Sequence, residues 1–281
     1  MSDSSICKAF QILDLLSEDQ ATITSEDVSD ALGTSRSTTY RYIKSLCDSG
    51  FLVQFRRGVF ALGPRIVELE RKIQLSDPLL NSSRGAMRDS VDAFAGSALL
   101  LCGLWGDRVL CIHHAQSEAV DDTLPLEIER ARGRPFPLFK GAASLAILAH
   151  LTVQKRRSIF LKYSREIADA GLGTTWQEFR QATRALRSKQ HVVTRGTFGT
   201  SLVAVAAPIL DEDGNVVGSI TRILRDASQV PVAELSTDIR RITDAIETEL
   251  GDRLGSRQQS QGEGEGSVDF VDDILTEMRT G

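Results

Sequence analysis

Apolar and polar positions recur along this chain with two different periods, and the change of period divides it into two parts. In the first part the period is helical. Ile6, Ala9, Phe10, Leu13 and Leu16 fall three or four residues apart, after serines able to cap a helix, Ser4 and Ser5. Thr24 opens a second short helix with Asp27 three residues on, a capping-box pattern, and Val28, Ala31 and Leu32 form its apolar side. Gly33 stops it, because glycine accepts the left-handed conformation of a C-cap. Ser35 begins a third helix with Thr39, Ile43, Leu46 and Cys47 inward, and Gly50 ends it. Two short apolar runs follow, Phe51–Phe55 and Val59–Leu62, separated only by Arg56, Arg57 and Gly58. That spacing predicts a hairpin with Gly58 in the left-handed position. Helix, helix, helix, hairpin is the order of a winged helix. Pro64 opens a further helix to about Leu75, with Ile66, Val67, Leu69 and Ile73 apolar, and Ser76-Asp77-Pro78 is a stop and restart.

From about Ser97 the period becomes that of strands. Ser97–Trp105 and Arg108–Ala115 predict a hairpin joined at Gly106-Asp107, and a loop-rich stretch runs on to about Leu138. Gly141–Leu151 is small and apolar, which fits a buried helix; helices are expected at about Thr152–Tyr163 and Thr175–Lys189. Leu202–Leu210 and Val216–Leu224 predict a second hairpin around Asp211–Gly214; a four-residue loop would pair Ala204 with Thr221. Pro231–Leu254 is a final amphipathic helix. Hairpin-connected strands flanked by helices imply an α+β class with an antiparallel sheet rather than a doubly wound one. Ser256–Ser267 is polar and of low complexity, hence expected to be disordered. Beyond it Val268, Val271, Leu275 and Met278 resume helical spacing. The expected organisation is a winged helix-turn-helix domain at 1–63, a linker or dimerisation helix at 64–82, an α+β domain at 83–254 and an acidic tail at 255–281.

Composition narrows the class. The chain has 281 residues, 41% hydrophobic, a size for about two domains, and its formal net charge is -5. No apolar run is long enough to span a bilayer, and no basic segment followed by an apolar one suggests a secretory signal. Cys7, Cys47, Cys102 and Cys111 form no CxxC pair, so reduced thiols in the cytoplasm are expected. The distribution of charge says more than its sum. Up to Asp30 Lys8 is the one cation against seven acids; from Ala31 to Gly58 Arg36, Arg41, Lys44, Arg56 and Arg57 face Asp48 alone. The tail from Ser256 carries a net charge of -4, with two arginines against six acids.

The cationic segment coincides with the third helix, Ser35-Arg-Ser-Thr-Thr-Tyr-Arg-Tyr-Ile-Lys44, whose hydrogen-bonding side chains are too many for all of them to face a core. A recognition helix needs such a surface, because its first turns meet base edges in the major groove. Arg36 can fork onto guanine; Ser35, Ser37, Thr38 and Tyr40 can contact bases or phosphates; Arg41 and Lys44 suit phosphate; Arg56 and Arg57 at the wing tip can reach the minor groove or backbone. The plainer alternative is a helix cap followed by a solvated face; the wing and the charge reversal together favour double-stranded DNA. Cys111, His113 and His114 invite a metal or a general base, with Cys111 and His113 expected on one strand face. No third ligand or carboxylate stands at short spacing, so no metal, catalytic residue or cofactor is expected. Cys102 and Cys111 suit core thiols, and Trp105 and Trp176 suit packing.

Residues 5–72 resemble the DNA-binding half of the IclR family of regulators, through Lys8-Ala-Phe-Gln-Ile-Leu13, the third-helix segment, Gly50-Phe-Leu and Phe60-Ala-Leu-Gly-Pro-Arg-Ile-Val-Glu-Leu69. Gly133–Ala149, Thr194-Arg-Gly-Thr-Phe198 and Val205-Ala-Ala-Pro-Ile209 resemble its second half, so the likeness extends to about residue 254. The resemblance implies a GAF-like effector domain, a homodimer or homotetramer, and a small organic effector. It places the effector at the helix start Gly141–Ala142 and on the strands carrying Ala204 and Thr221, with Thr197 and Arg195 as further candidates; a helix N-terminus suits a carboxylate. The family often has an acid at the position of Thr197, a cysteine at that of Ala204 and a serine at that of Thr221, so this pocket has lost polar lining. The function implied is a sequence-specific, effector-controlled transcriptional regulator, a repressor by family habit, that acts on a DNA operator and not on a membrane. Two other readings are an enzyme using Cys111 or His113, and a protein-interaction scaffold with a degenerate winged helix. The first lacks a phosphate loop, paired carboxylates or a triad, and the second does not account for the five cations.

Overall fold

The computed structural model describes residues 5–117, 132–197, 202–224 and 231–262, with side chains described up to residue 255. The chain divides into two compact units, Met1–Asp77 and Pro78–Gly281, a boundary inside the expected linker.

The first unit runs α1 (Ser5–Gln11), a single 3-10 turn, β1 (Ile23–Thr24), α2 (Ser25–Leu32), α3 (Arg36–Asp48), β2 (Leu52–Arg56), β3 (Val59–Leu62) and α4 (Arg65–Ser76). The capping box of α2 is formed: Thr24 N–H donates to Asp27 Oδ2 at 2.7 Å, and Asp27 N–H donates to Thr24 Oγ1 at 3.2 Å. The bond from the Thr24 amide also holds the Asp27 carboxyl below its ordinary range. Ile12, Ile23, Val28, Ile43, Leu46 and Leu52 make the core, joined by Tyr42. The strand β1 has only two residues, too few for any periodicity, and it pairs with β3 to give the sheet order β1-β3-β2. A bulge between Gln54 and Arg56 leaves Arg56 on the strand opposite Val59, so the turn is Arg57-Gly58 with Gly58 at φ +74°. Gly63 closes the base of this hairpin. A Cβ there would sit 2.1 Å from the Gly50 carbonyl oxygen, so no side chain fits.

The second unit starts with α5 (Pro78–Ser90). A six-stranded sheet follows, made of β4 (Ser97–Trp105), β5 (Arg108–Gln116), β6 (Pro135–Pro137), β7 (Val192–Arg195), β8 (Val203–Leu210) and β9 (Val216–Leu224). Its order is β6-β5-β4-β9-β8-β7 with every neighbouring pair antiparallel, the α+β arrangement expected. Between β6 and β7 stand α6 (Ala142–His150), α7 (Val153–Lys162), α8 (Ser164–Asp169) and α9 (Trp176–Arg187). The face of the sheet carrying Leu100, Cys102 and Cys111 packs with Ile147, Leu148 and Phe179 of these helices. The other face, with Leu99, Leu101, Val205 and Ile220, packs under α5 and α10 (Val232–Gly262) through Leu80, Met87, Ile239 and Ile246. Arg222 lies wholly buried at this second interface. Its guanidinium donates to Asp238, Ser97 Oγ and the carbonyls of Ser90 and Val91 at 2.6–3.2 Å, which satisfies a charge that would otherwise be costly inside.

Several expectations are corrected here. The loop of the second hairpin spans Asp211–Asn215, because Asp211 Oδ1 accepts from the amides of Asp213 and Asn215 and ties the fifth residue into the turn. With a bulge beside Leu210, Ala204 stands opposite Ile223 and Ala206 opposite Thr221. The slip is two residues, so Ala204 and Thr221 still share a face as diagonal neighbours. A bulge in the first hairpin has the opposite effect. Leu101 pairs with His113 but Cys102 with Cys111, and the extra residue puts Cys111 and His113 on opposite faces. Trp176 packs on Phe160 and Phe179 as expected, whereas Trp105 is 68% exposed at a strand end. The last helix continues to Gly262 instead of stopping at Leu254. Arg257, Gln258 and Gln259 are good helix formers, and extending an existing helix avoids the cost of nucleation. The amphipathic segment from Val268 lies outside the described residues.

Candidate nucleic-acid interface and candidate effector face

The interface starts from the cap of α3. Ser35 is the N-cap, and its Oγ accepts from the Thr38 amide at 3.4 Å and contacts the hydroxyls of Thr38 at 3.0 Å and Ser37 at 3.2 Å. Ser35 and Thr38 are thus engaged in capping, and Thr39 is fully buried. Past the cap, Arg36, Ser37, Tyr40, Arg41 and Lys44 are all exposed. They recur at i, i+1, i+4, i+5 and i+8, one stripe of the helix opposite Tyr42, Ile43 and Leu46. Tyr40 leaves 66% of its surface in solvent, unusual for a large aromatic ring with a core close by. At the hairpin tip Arg56 and Arg57 are exposed too. None of Arg36, Arg41, Lys44, Arg56 and Arg57 makes an ion pair among the described residues. Five cations left without partners on one small unit keep their charge available for a polyanion.

The second candidate lies in the sheet unit. Gly141 takes φ +91° and caps α6, and as a glycine it offers no side chain to the helix's first turn. The helix itself is apolar nearly all round, with Ala142, Ala146, Ile147 and Leu148 buried. Beneath it Ala142, Ala146, Val192 and Ala206 form a cluster of small side chains, with Ala204 packed at its edge. Three polar atoms on this same face are buried without a hydrogen-bond partner: His114 Nδ1, Thr194 Oγ1 and Thr221 Oγ1. Register places them together. Thr194 stands opposite Ala204, Thr221 opposite Ala206, and both Thr221 and His114 opposite Leu100. An unpaired buried hydroxyl or imidazole costs about 1–3 kcal/mol, and three on one face form a site ready for a polar ligand. Of the sequence candidates, Gly141, Ala142, Ala204 and Thr221 are brought to this face; Thr194 and His114 join them, which only the strand register shows to face inward. Arg195 stands opposite Val203, on the alternate face whose Val193 and Val205 pack under α10, so it is not brought to the others. Thr197 lies past the end of β7, after Gly196 at φ +64°.

Nothing in the structure assembles a reacting centre from Cys111 and His113. The Cys102 thiol is held well above its ordinary pKa, first by its contact with the Cys111 thiol and then by burial, the reverse of an activated nucleophile. His113 is depressed by burial and by Arg84. No three His, Cys, Asp or Glu side chains gather as a metal site among the described residues.

Comparison with known proteins agrees with this division. Residues 5–55 match the family described as the IclR helix-turn-helix domain. No curated protein sequence gives a significant match. Among solved structures, a putative IclR transcriptional regulator from Silicibacter sp. TM1040 is similar at 21% identity and a TM-score of 0.70, covering 90% of this chain and 96% of its own. An IclR transcriptional regulator from Alicyclobacillus acidocaldarius is similar at 19% identity and a TM-score of 0.67, covering 89% and 100%. An IclR homolog from Microbacterium hydrocarbonoxydans, complexed with 4-hydroxybenzoate, is similar at 18% identity and a TM-score of 0.64, covering 88% and 99%. These likenesses extend over both units and show that the chain has the fold of those regulators.

Proposed function

From an IclR helix-turn-helix domain at residues 5–55 joined to the fold of IclR regulators, we propose that this chain is a sequence-specific DNA-binding transcriptional regulator, a repressor, controlled by a small organic effector. The observation that carries this reading is the exposed stripe of α3, whose cations are unpaired, beside a wing tip bearing two more. In this account Arg36 forks onto a guanine edge and Ser37 and Tyr40 contact neighbouring bases or phosphates, while Arg41 and Lys44 bind phosphate. Arg56 and Arg57 reach the adjacent minor groove or backbone. One recognition helix per chain reads one half-site, so the working unit is a homodimer or homotetramer on a pseudo-palindrome. The exposed Val67, Ile73 and Leu75 of α4 offer an apolar surface for pairing. Cytoplasmic location follows from the DNA target; no helix is long and apolar enough to cross a membrane among the described residues.

The effector sits against the first turn of α6. An anionic group takes the first-turn amides that begin at Ala142, and the rest of the molecule meets Ala204 and the unpartnered Thr194, Thr221 and His114. The 4-hydroxybenzoate complex of a structural relative supports a small organic acid. Selection of bound fragments from a random DNA pool tests the main reading. Enrichment of two inverted half-sites about one helical turn apart is the expected result. Retention of DNA without sequence enrichment at physiological salt would contradict it.

A further inference from the structure

A cavity of about 360 Å³ opens at the far end of α6, away from the effector face. His150, the last residue of that helix, lines it with Arg187 from the end of α9, His191, and Arg240, Asp244 and Glu247 of α10. The nine residues of α6 separate His150 from Ala142 by roughly 12 Å at about 1.5 Å per residue, so the two places are distinct. A volume of this size suits a small metabolite.

The lining holds two arginines, Arg187 and Arg240, and two carboxylates, Asp244 and Glu247. Neither Arg187 nor Arg240 has a carboxylate partner among the described residues. The nearest acid on α10, Asp238 two residues back, is already held by Arg222 and Arg241. Asp244 lies a turn ahead and makes no ion pair with Arg240. Glu247 accepts the Leu210 amide at 2.7 Å and stands seven residues, roughly 10 Å, along the helix from Arg240. Burial and the Arg240 and Lys189 charges lower the His191 pKa; burial, Arg187 and Arg156 lower that of His150, against its bond with the Ala146 carbonyl. His191 Nδ1 is buried without a partner. The residue before it, Gln190, is the sole non-glycine residue at positive φ among the described residues, at +59°. That turn delivers His191 to the cavity, and a strained turn held at a place lined by unpaired donors is a usual companion of a ligand site.

We propose that this cavity binds a small dianion, a phosphate ester or a dicarboxylate, which bridges Arg187 and Arg240 and accepts a hydrogen bond from His191. Because α9 packs on one face of the sheet and α10 on the other, the bound dianion ties the two helical layers together at the sheet edge. The site is separate from the effector face, so its existence does not depend on that reading.

Calorimetric titration of the full chain with inorganic phosphate, and separately with succinate, tests the proposal, each against chloride at matched ionic strength. Saturable binding is expected in the range of about 1 mM for at least one of the two probes. Saturation by phosphate alone assigns the phosphate-ester class, and by succinate alone the dicarboxylate class. The double variant Arg187→Gln, Arg240→Gln should weaken binding at least about tenfold, since each guanidinium gives a charge-assisted bond. Both arginines are exposed, and an unchanged thermal melt will show that the variant folds. Bound probe should also raise the His191 pKa, read from its ring nitrogen resonances. Ala204→Phe should leave the binding of both probes and the His191 shift unchanged, which separates failure here from failure of the effector reading. Absence of saturation by about 10 mM with both probes, or equal affinity in the double variant, would overturn the proposal.

Discussion

The helix α3 turns Arg36, Ser37, Tyr40, Arg41 and Lys44 to solvent, whereas α6 keeps Ala142, Ser144, Ala146, Ile147, Leu148 and Ala149 buried. Both begin a candidate binding surface. The first presents long side chains from a solvated flank and has its N-terminus capped by Ser35. The second presents its uncapped end, with polar atoms from the strands below left without partners. The difference decides what a mutation can report. On α3 a side chain can be removed without disturbing the core, so the effect falls on the partner. Around α6 the same surface is also the packing of the sheet, and binding and stability are hard to separate.

The largest expected effect probes the buried side of this comparison. Arg222→Ala would leave Asp238 buried with only the partly exposed Arg241 as its partner. Breaking a buried pair costs about 3–5 kcal/mol, so the urea midpoint should fall by a correspondingly large amount at constant slope. A loss under about 1 kcal/mol would mean that Arg222 is less engaged than its four partners imply.

Ala204→Phe acts between the two extremes. Filling the small-residue cluster should abolish the effector response, with a stability loss of about 1–3 kcal/mol from overpacking and DNA affinity retained. A normal response to the cognate effector in a reporter assay would put the effector elsewhere.

Asp107 sets the low end. It accepts from Lys155 at 2.9 Å and Lys162 at 2.7 Å, and these bonds, Lys162 first, hold its carboxyl down at about 2. A folded pKa below the unfolded one gives stability that is complete above about pH 4 and is lost as pH falls towards 2. Both lysines are well exposed, so Asp107→Asn should cost only about 1 kcal/mol or less at pH 7. The variant and the parent should converge in thermal melts near pH 2; a difference that persists there would assign the effect to something other than charge.

The same contrast explains what the sequence made legible. The surface of α3 could be read directly, because a cation in a helical pattern with apolar residues opposite can only face outward. Its capping serine, the glycine at position 33 and the wing followed from backbone rules that hold locally. The candidate effector face was legible only in outline. Gly141 and the small residues of α6 are visible as a pattern, but Thr194 and His114 acquire their meaning from strand register, which is not local. One aspartate, Asp211, draws Asn215 into the hairpin turn, and the expected pairing of Ala204 with Thr221 slides by two residues. A single bulge beside Cys102 separates Cys111 from His113. Arg222 gave no sign of burial, since its partners come from Ser90, Ser97 and Asp238, far along the chain in both directions. Arg195 is parted from the other candidates for a simpler reason: strand alternation turns it to the other face.

The central claim is that α3 reads DNA sequence through its exposed stripe. The most direct test compares Arg36→Ala with the parent on the selected site and on every single-base variant of one half-site. The account predicts a loss of about 1–3 kcal/mol on the selected site, discrimination relaxed at one position per half-site, and an unchanged thermal melt. Lys44→Ala in the same panel should weaken every sequence alike. Equal affinity and equal base preference for Arg36→Ala and the parent, with the fold intact, would contradict the claim.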